Sequence, residues 1–347
     1  MAAAPRIVVA DDSPFMRTVL AGALTAAGFE VVGNARDGDE ALAQCRVSRP
    51  DAMTLDLAMP GLDGLGVLRA LKEGGAPAVP VVVVSAFSPA HGARAVDALA
   101  EGAFDLVPKP AVGEPFHTFT ENLAGRLREA VAAGASAMRN GPAANGHAVT
   151  APRVVLPGGG APRAVVIVAS TGGPRALAHL LPALPAHLGE GTLIVQHMPA
   201  GFTGSLAARL DGMSRLHVRE AAPGDQLEPG TALVAPGGSH LRLDRTRHAR
   251  LTDEPAVGGL RPRADLTIAD VAAAWGERTL LVVLTGMGRD GAQGARAVRA
   301  AGGRVLCEAA ETCTVYGMPR AVVEDGLADI VLPLGELAEA IATEAGA

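Results

Sequence analysis

The chain has 347 residues, more than most single hydrophobic cores contain, so we expect two domains. Hydrophobic residues make up 49% of the sequence and aromatic residues only 3%, so the cores must be built mostly from Ala, Val and Leu. The formal charge of −6 comes without any block of Lys or Arg. This balance argues against a partner that is nucleic acid or an anionic membrane surface.

Two further patterns concern location and redox state. The first apolar stretch, after Arg6, runs directly into two aspartates, unlike a signal peptide, and no apolar run reaches the roughly 20 residues needed to span a bilayer. We therefore expect a cytoplasmic protein without direct membrane insertion. The three cysteines, Cys45, Cys307 and Cys313, fit no metal-ligand spacing, so we expect reduced thiols.

The first part of the chain, residues 1–133, alternates short apolar runs with helical stretches, from RIVVA to DLVPKP. Five such β/α repeats predict a parallel sheet with helices on both faces, a doubly wound and flavodoxin-like domain. The last helix is expected over about 116–133. Residues 134–162 are rich in Gly, Ala and Pro without a sustained period, which predicts a flexible linker.

A second alternating series occupies residues 163–347, with apolar runs at AVVIVA, TLIV, TALVA, TLLVVLT, GRVL and DIVLPL. This pattern predicts a second doubly wound α/β domain, Rossmann-like in layout. No fixed-period repeat runs through either half, which argues against a solenoid.

Acidic and hydroxyl side chains follow the predicted strands of the first half. Asp11 and Asp12 follow the first strand, Asp56 the third and Ser85 the fourth, and Lys109 follows the fifth. These side chains can converge, because the carboxyl ends of parallel strands meet at one edge of the sheet. Three carboxylates need a cation, and oxygen ligands suit Mg²⁺. Asp56 can then attack phosphorus while Lys109 and Ser85 hold the phosphoryl oxygens.

Taken singly, these residues are ordinary loop or cap residues, but the whole set resembles the receiver domain of two-component response regulators. The resemblance covers essentially all of residues 5–130. It implies that Asp56 is the phosphoacceptor and that Asp11, Asp12, Asp56 and the Ala58 carbonyl bind Mg²⁺. It also implies that Phe104, in GAFDLV, acts as a switch residue together with the serine and lysine described above.

The stretch VVIVASTGGPR ends a predicted strand at Ser170. Gly172 and Gly173 allow a tight turn, and Pro174 suits the first helical turn because it needs no N–H partner there. The stretch matches neither a dinucleotide-binding motif nor a P-loop, and Val168 stands where a hydrolase elbow requires glycine. Ser170 is therefore either a nucleophile held at a strand–helix turn or the polar residue that ends a strand.

A nucleophilic serine needs a base, and the base needs a group that orients it. His197 ends the next predicted strand, and Asp290 lies between a later strand and a helix, so both can share a crevice with Ser170. Alternatives remain open from the spacing alone. His240, in APGGSHLRL, competes with His197 as the base, and Asp290 can instead cap the following helix. Cys313 is a weaker candidate nucleophile because no helix start lies nearby.

Six motifs in chain order carry a second resemblance: ASTGGP, QHMPAGFTGSLAARL, APGGSHL, RPRAD, LTGMGRDGA and TCTVYGMPRA. Together they resemble the catalytic domain of the chemotaxis protein-glutamate methylesterases, which are also protein-glutamine glutaminases. The resemblance implies that Ser170 is the nucleophile, His197 the general base and Asp290 its orienter. It also implies that the backbone N–H groups of Thr171 and Met287 stabilise the oxyanion.

A receiver joined to such a domain implies a phosphorylation-activated serine hydrolase that serves sensory adaptation. Its substrates would be glutamate methyl esters and glutamines of methyl-accepting chemotaxis receptors, its phosphodonor a chemotaxis histidine kinase, and its esterase reaction would need no cofactor. The unphosphorylated receiver is then expected to cover the crevice around Ser170. The alternatives are an esterase for a different methylated protein and a non-catalytic regulator that binds a partner. Leu260 and Arg263, in LRPRAD, depart from the family pattern and leave receptor contacts there open.

Overall fold

The structure is a computed structural model, and it describes residues 3–74, 76, 79–86, 89–110, 113, 115–140 and 163–346. The chain divides into two compact units, Met1–Ala144 and Asn145–Ala347. Within the described ranges, none of the helices combines the length and the hydropathy needed to cross a bilayer.

The first unit contains a five-stranded parallel sheet. Its strands are β1 (Arg6–Ala10), β2 (Glu30–Ala35), β3 (Ala52–Leu55), β4 (Val81–Ser85) and β5 (Asp105–Pro108). The helices that alternate with them are α1 (Pro14–Ala26), α2 (Gly38–Ser48), α3 (Gly64–Lys72), α4 (Pro89–Glu101) and α5 (Phe116–Asn140). The strand order is β2-β1-β3-β4-β5, so the predicted flavodoxin-like fold is confirmed.

Local sequence explains where these elements begin. The strand β4 is the run VVVVS and is buried at every position, as expected for a strand covered on both faces. Ser13, Asp37 and Asp63 stand before α1, α2 and α3, and each side chain accepts a backbone N–H of the first turn. These caps fix where the three helices begin.

The helix α5 ends at Asn140, beyond the predicted end at about 133. The composition predicts a linker from Gly134 onward, but a glycine inside a helix costs only about 1 kcal/mol relative to alanine. The alanines on both sides of it favour a helix, so the helix continues. The rest of the predicted linker, residues 141–162, lies outside the described residues.

The second unit contains a seven-stranded sheet with the order β14-β13-β12-β6-β7-β9-β8 and parallel pairing throughout. Its strands are β6 (Ala164–Ala169), β7 (Gly191–Gln196), β8 (His217–Glu220), β9 (Thr231–Val234), β12 (Thr279–Val283), β13 (Arg304–Glu308) and β14 (Ile330–Leu332). The strands β10 (His240–Leu243) and β11 (Ala249–Thr252) form a separate antiparallel hairpin.

The helices of this unit are α6 (Gly173–Leu180), α7 (Thr203–Asp211), α8 (Ala264–Trp275), α9 (Ala292–Ala300), α10 (Met318–Glu324) and α11 (Leu334–Ala345). From β6 the chain continues through β7, β8 and β9, which lie on one side of β6 in the spatial order β7-β9-β8, and then returns to β12 on the other side of β6. The order therefore reverses between β6 and β12, where open α/β sheets form their ligand crevice.

Six strands of the second sheet coincide with the six predicted apolar runs, and the predicted doubly wound fold is confirmed. The strands β8, β10 and β11 were not predicted. Their sequences, HVRE, HLRL and ARLT, are four residues long and mix charged with apolar side chains. The strand β8 lies at the sheet edge and the other two pair only with each other, so none needs a continuous apolar run.

Candidate active site

Ser170 lies in the turn between β6 and α6 and is 7% exposed. Its backbone N–H donates to the Thr285 carbonyl at 3.0 Å, which ties the turn to the end of β12. Its carbonyl accepts the Gly173 N–H at 2.8 Å and a side-chain N–H of Gln196 at 2.9 Å. The position of Ser170 is therefore determined from β12, α6 and β7 together.

Two glycines make this turn possible. Gly172 has a φ of +80°, and a Cβ there would lie 2.4 Å from Thr314 Oγ1. Gly286 follows β12, and a Cβ there would lie 2.8 Å from the Cβ of Ser170. The loop after β12 thus approaches the serine more closely than any side chain at position 286 would allow.

His197 and Asp290 form a buried pair with side-chain exposures of 5% and 1%. His197 Nε2 lies 2.7 Å from Asp290 Oδ2. An ionised carboxylate only accepts hydrogen bonds, so the histidine donates from Nε2 and a neutral ring carries its lone pair on Nδ1. That Nδ1 atom is buried and has no hydrogen-bond partner among the described residues.

The Ser170 hydroxyl forms no hydrogen bond within the part of the chain that the structure describes. The structure thus joins His197 to Asp290 by a hydrogen bond and places both beside the turn that carries Ser170, but it does not join the base to the serine. Catalytic hydrogen bonds are often long without substrate and shorten when substrate binds.

The Asp290 carboxylate is surrounded by donors from the start of α8. Its Oδ2 accepts the Ala264 N–H at 2.7 Å, and its Oδ1 accepts the Asp265 N–H at 2.9 Å. Burial alone would raise the pKa of Asp290, but His197 and these two N–H groups outweigh it and hold the pKa well below the usual aspartate range. The carboxylate is therefore a stable anion that orients the imidazole.

The sequence also allows Asp290 to cap the helix that follows it. Its Oδ1 does accept the Gly291 N–H at 3.0 Å. The larger part of the cap comes from Asp265, whose Oδ1 accepts the N–H groups of Gly291 at 2.8 Å and Gly294 at 2.9 Å. Burial raises the pKa of Asp265, and the charge of Asp290 adds to the increase.

His240 is fully buried and uses both ring nitrogens. Its Nδ1 accepts the Arg263 N–H at 3.1 Å, and its Nε2 donates to the Pro255 carbonyl at 3.3 Å. No ring nitrogen is left to accept a proton from a serine. Cys313, the weaker candidate nucleophile, has a pKa raised by burial and by the neighbouring Glu308, which disfavours a reactive thiolate.

The two residues expected to stabilise the oxyanion lie next to Ser170 in different loops. Thr171 is buried in the turn itself, and its carbonyl accepts the Thr285 hydroxyl at 3.0 Å. Met287 directly follows Gly286, the glycine that contacts Ser170, and its side chain is 45% exposed. Both backbones therefore flank the serine.

Gln196 is a site residue that the sequence interpretation missed. It is 1% exposed at the end of β7, and its Nε2 donates to the carbonyls of Ser170 at 2.9 Å and His197 at 3.0 Å. Thr285 was missed as well, although its main chain and hydroxyl both bind the serine turn. The available signal was a polar residue that ends a continuous apolar strand, as Gln196 does after TLIV.

In the first unit, Asp11, Asp12 and Asp56 place carboxylate oxygens within 4.8 Å of one another. Lys109 Nζ lies 2.8 Å from Asp11 Oδ2 and 2.8 Å from Asp56 Oδ2. Burial opposes the charge of Lys109, but the two carboxylates beside its ammonium group outweigh burial and raise its pKa. The buried Asp11 Oδ2 has no aligned hydrogen bond in the described part of the chain, so this oxygen-rich cluster fits a hard divalent cation such as Mg²⁺.

The other receiver residues lie close to this cluster or to its strands. The Ala58 N–H donates to Asp56 Oδ1 at 3.3 Å. Ser85 is buried at the end of β4, and its hydroxyl donates to the Ala86 carbonyl at 3.4 Å rather than to Asp56. Phe104 is buried, with 5% exposure, just before β5.

The two residues that depart from the family pattern differ in position. Leu260 exchanges backbone hydrogen bonds with Val257 in a short loop. The Arg263 side chain is only 19% exposed and turns inward, where its Nη2 donates to Asp265 Oδ2 at 2.7 Å. Its guanidinium therefore contacts the surroundings of Asp290 rather than lying free on the surface.

Two family models match the chain. The model described as CheB methylesterase matches residues 165–341, and the model described as response regulator receiver domain matches residues 7–118. The first match includes the serine turn, the His197–Asp290 pair and the loop after β12. The second includes the carboxylate cluster and Lys109.

Whole-chain relatives agree with these matches. The protein-glutamate methylesterase/protein-glutamine glutaminase of Symbiobacterium thermophilum is 43% identical over 98% of this chain and 97% of its own. A Myxococcus xanthus protein with the same name, numbered 5, is 44% identical over 95% of this chain and 94% of its own. The crystal structure of the Thermotoga maritima CheB methylesterase catalytic domain matches 52% of this chain and 97% of that chain, with a TM-score of 0.51 and 43% identity. The chain therefore belongs to the CheB methylesterase family and carries a response-regulator receiver domain ahead of its methylesterase domain.

Proposed function

We propose that this protein removes methyl groups from glutamate methyl esters of chemotaxis receptors and deamidates receptor glutamines, as the names of its relatives describe for those proteins. The observation that carries the proposal is the buried His197–Asp290 pair beside the Ser170 turn. A nucleophile, a base and an orienting carboxylate at the same sheet edge are the parts of a serine hydrolase.

In the first step, Ser170 Oγ forms a bond to the side-chain carbonyl carbon of the substrate, and its proton passes to His197 Nδ1. Asp290 keeps the imidazole oriented through its Nε2 hydrogen bond and stabilises the positive charge that develops on the ring. The carbonyl oxygen becomes an oxyanion, which the backbone N–H groups of Thr171 and Met287 stabilise.

In the second step, the tetrahedral intermediate collapses, the C–O bond to the methoxy group breaks, and methanol leaves with the proton that His197 carries. Water then attacks the acyl-enzyme with the same histidine as base, and glutamate and free Ser170 are released. A glutamine follows the same route with ammonia as the leaving group. The described side chains around the pair suffice for these steps, so we propose that the esterase reaction uses no cofactor.

We propose that Asp56 accepts a phosphoryl group from a chemotaxis histidine kinase. Asp11, Asp12 and Asp56, with the Ala58 carbonyl, would hold Mg²⁺, which neutralises phosphoryl oxygens when bound. Lys109, now paired with two carboxylates, is placed to bind a phosphoryl oxygen. Ser85 and Phe104 respond to that group as switch residues. We also propose that the protein acts in the cytoplasm.

Methanol release tests the proposal. A receptor whose glutamates carry radiolabelled methyl esters is incubated with the wild-type protein and with Ser170→Ala. We expect volatile label from the wild type and a loss of about 10⁴-fold in the variant, since removal of one triad member commonly costs that much. Phosphorylation of Asp56 should be unchanged in Ser170→Ala. Undiminished methanol release from that variant would remove Ser170 from the mechanism.

A further inference from the structure

Arg263, the residue before α8, brings a positive charge onto the Asp290 carboxylate. Its Nε lies 2.9 Å from Asp290 Oδ1, and its Nη2 donates to Asp265 Oδ2 at 2.7 Å. The Arg263 side chain is 19% exposed and Asp290 only 1%, so water screens this contact weakly. The hydrolysis mechanism above assigns no role to this arginine.

The contact between Arg263 and Asp290 is an ion pair rather than an aligned hydrogen bond. At 2.9 Å the two atoms are close, yet the buried Nε N–H has no hydrogen-bond partner in the described part of the chain. The carboxylate already accepts hydrogen bonds from His197 and from three backbone N–H groups. Arg263 therefore affects Asp290 through charge and leaves the orienting hydrogen bonds to other groups.

The arginine is held in place from both ends. Its backbone N–H donates to His240 Nδ1 at 3.1 Å, and the N–H groups of the next two residues, Ala264 and Asp265, donate to Asp290. Its Nη1 also donates to the Val257 carbonyl at 3.3 Å. These bonds fix the guanidinium beside the carboxylate instead of leaving it to sample solvent.

We propose that Arg263 is a positioning residue for the hydrolysis proposed above, on which this inference rests: its charge offsets part of the negative charge of Asp290. A carboxylate at full charge would hold a proton on His197 more strongly. With part of that charge offset, the histidine stays neutral, and so able to act as a base, at lower pH.

Other charged or titratable groups of the second unit have partners of their own. Asp265 lies at the start of α8, His240 in β10, Glu220 at the end of β8 and Arg289 in the loop before α9. Glu220 accepts the Thr203 hydroxyl, and Arg289 pairs with Asp325. Among the described residues, only Asp290 bonds the imidazole and only Arg263 pairs a side-chain cation with Asp290.

Two other roles for Arg263 make different predictions. If it contacted the receptor, its replacement would raise KM and leave the pH profile unchanged. If it only stabilised the loop before α8, its replacement would lower the melting temperature with no effect on the pH profile of the folded enzyme. If the charge of Arg263 acts through Asp290, its removal must instead shift the acidic limb of the pH profile, which is the low-pH range over which activity falls.

The experiment compares Arg263→Gln, Arg263→Lys and the control Arg296→Gln. Arg263 and Arg296 both line one cavity, but Arg296 pairs with Asp325 and its side chain is 63% exposed. Two readouts are followed against pH: kcat/KM for methanol release, and the rate at which a fluorophosphonate probe labels Ser170, which needs no receptor. In Arg263→Gln both acidic limbs should move upward by roughly 0.5 to 2 pH units, the size expected for one charge near a buried pair. Arg263→Lys and Arg296→Gln should follow the wild type.

An unchanged acidic limb in folded Arg263→Gln, or an equal shift in Arg263→Lys, would overturn the inference. So would a rise in KM without a change in the pH profile. If Arg263→Gln does not fold, Arg263→Ser takes its place with the same expected shift. Wild-type protein that reacts with the probe but releases no methanol would contradict the proposed function alone, because the labelling profiles would still test Arg263.

Discussion

Gln196 holds the main chains of the candidate nucleophile and of the candidate base with one amide group: its Nε2 lies 2.9 Å from the Ser170 carbonyl and 3.0 Å from the His197 carbonyl. Gln196 is 1% exposed and ends β7, the strand beside β6. A Cβ at position 173 would lie 1.9 Å from its Oε1, so Gly173 is required for the glutamine to occupy this place. This buried side chain therefore helps to set the distance between nucleophile and base.

Replacement of Gln196 by leucine should lower kcat by about 10- to 100-fold, because a displacement of about 1 Å between reacting groups costs on this order. KM should change little, since Gln196 is buried and does not reach a substrate surface. Steady-state kinetics with methylated receptor measure the two constants. Gln226→Leu is the matched control, because Gln226 is exposed and bonds His248 instead. A kcat equal to that of the wild type would contradict this role.

His197 and His240 should differ when each is replaced by alanine. His197→Ala should lose about 10⁴-fold in activity, because no other described group is placed to take the serine proton. His240→Ala should keep most of its activity when folded but lose about 1 to 3 kcal/mol of stability, since the partly buried Arg263 N–H loses its acceptor. Denaturant unfolding and methanol release separate these effects. The reverse ranking of activities would assign the base to His240.

Activity should fall as the pH drops, and one proton should account for the fall. The pKa of Asp290 lies well below the usual aspartate range, so this carboxylate stays ionised while the histidine base becomes protonated. A plot of log kcat/KM against pH should then approach a slope of 1 on the acid side. A slope of 2 would mean that Asp290 titrates together with the base.

Asp56 should take phosphate from a small-molecule phosphodonor only when Mg²⁺ is present. The carboxylates of Asp11, Asp12 and Asp56 otherwise repel the incoming phosphoryl group, and the Lys109 ammonium compensates for only part of their charge. Radiolabel incorporation with and without a chelator measures this requirement. Asp51→Asn, outside the cluster, is the control for Asp56→Asn, and label that persists in Asp56→Asn would place the phosphoacceptor elsewhere.

The sequence was sufficient to predict the first sheet, six of the seven strands of the second sheet, and the positions of Ser170, His197 and Asp290 after predicted strands, because buried parallel strands are continuous apolar runs that are followed by polar residues. It was not sufficient to predict the contact between Arg263 and Asp290. That contact depends on how the start of α8 packs beside the loop after β12, and the local sequence of neither segment indicates this packing. The same holds for Gln196, because its local sequence does not indicate that its amide binds the carbonyls of Ser170 and His197.

Phosphorylation of the receiver should raise the esterase activity of the whole chain. The proposal follows from the two domains of the family on one chain, since a phosphoacceptor tethered to a hydrolase has a purpose only if one alters the other. A phosphodonor with Mg²⁺ should increase methanol release by the wild type and leave Asp56→Asn unchanged. Each tenfold change needs only about 1.4 kcal/mol of differential stability between two states of the protein.

The second unit has its own hydrophobic core and contains Ser170, His197 and Asp290, so a chain without residues 1–134 should fold and can be tested directly. If the unphosphorylated receiver inhibits, as the family resemblance implies, this shorter chain should release methanol faster than the intact unphosphorylated protein and ignore the phosphodonor. If the shorter chain is folded but no faster, inhibition is the wrong explanation, and the receiver must act by organising the active site or by recruiting the receptor.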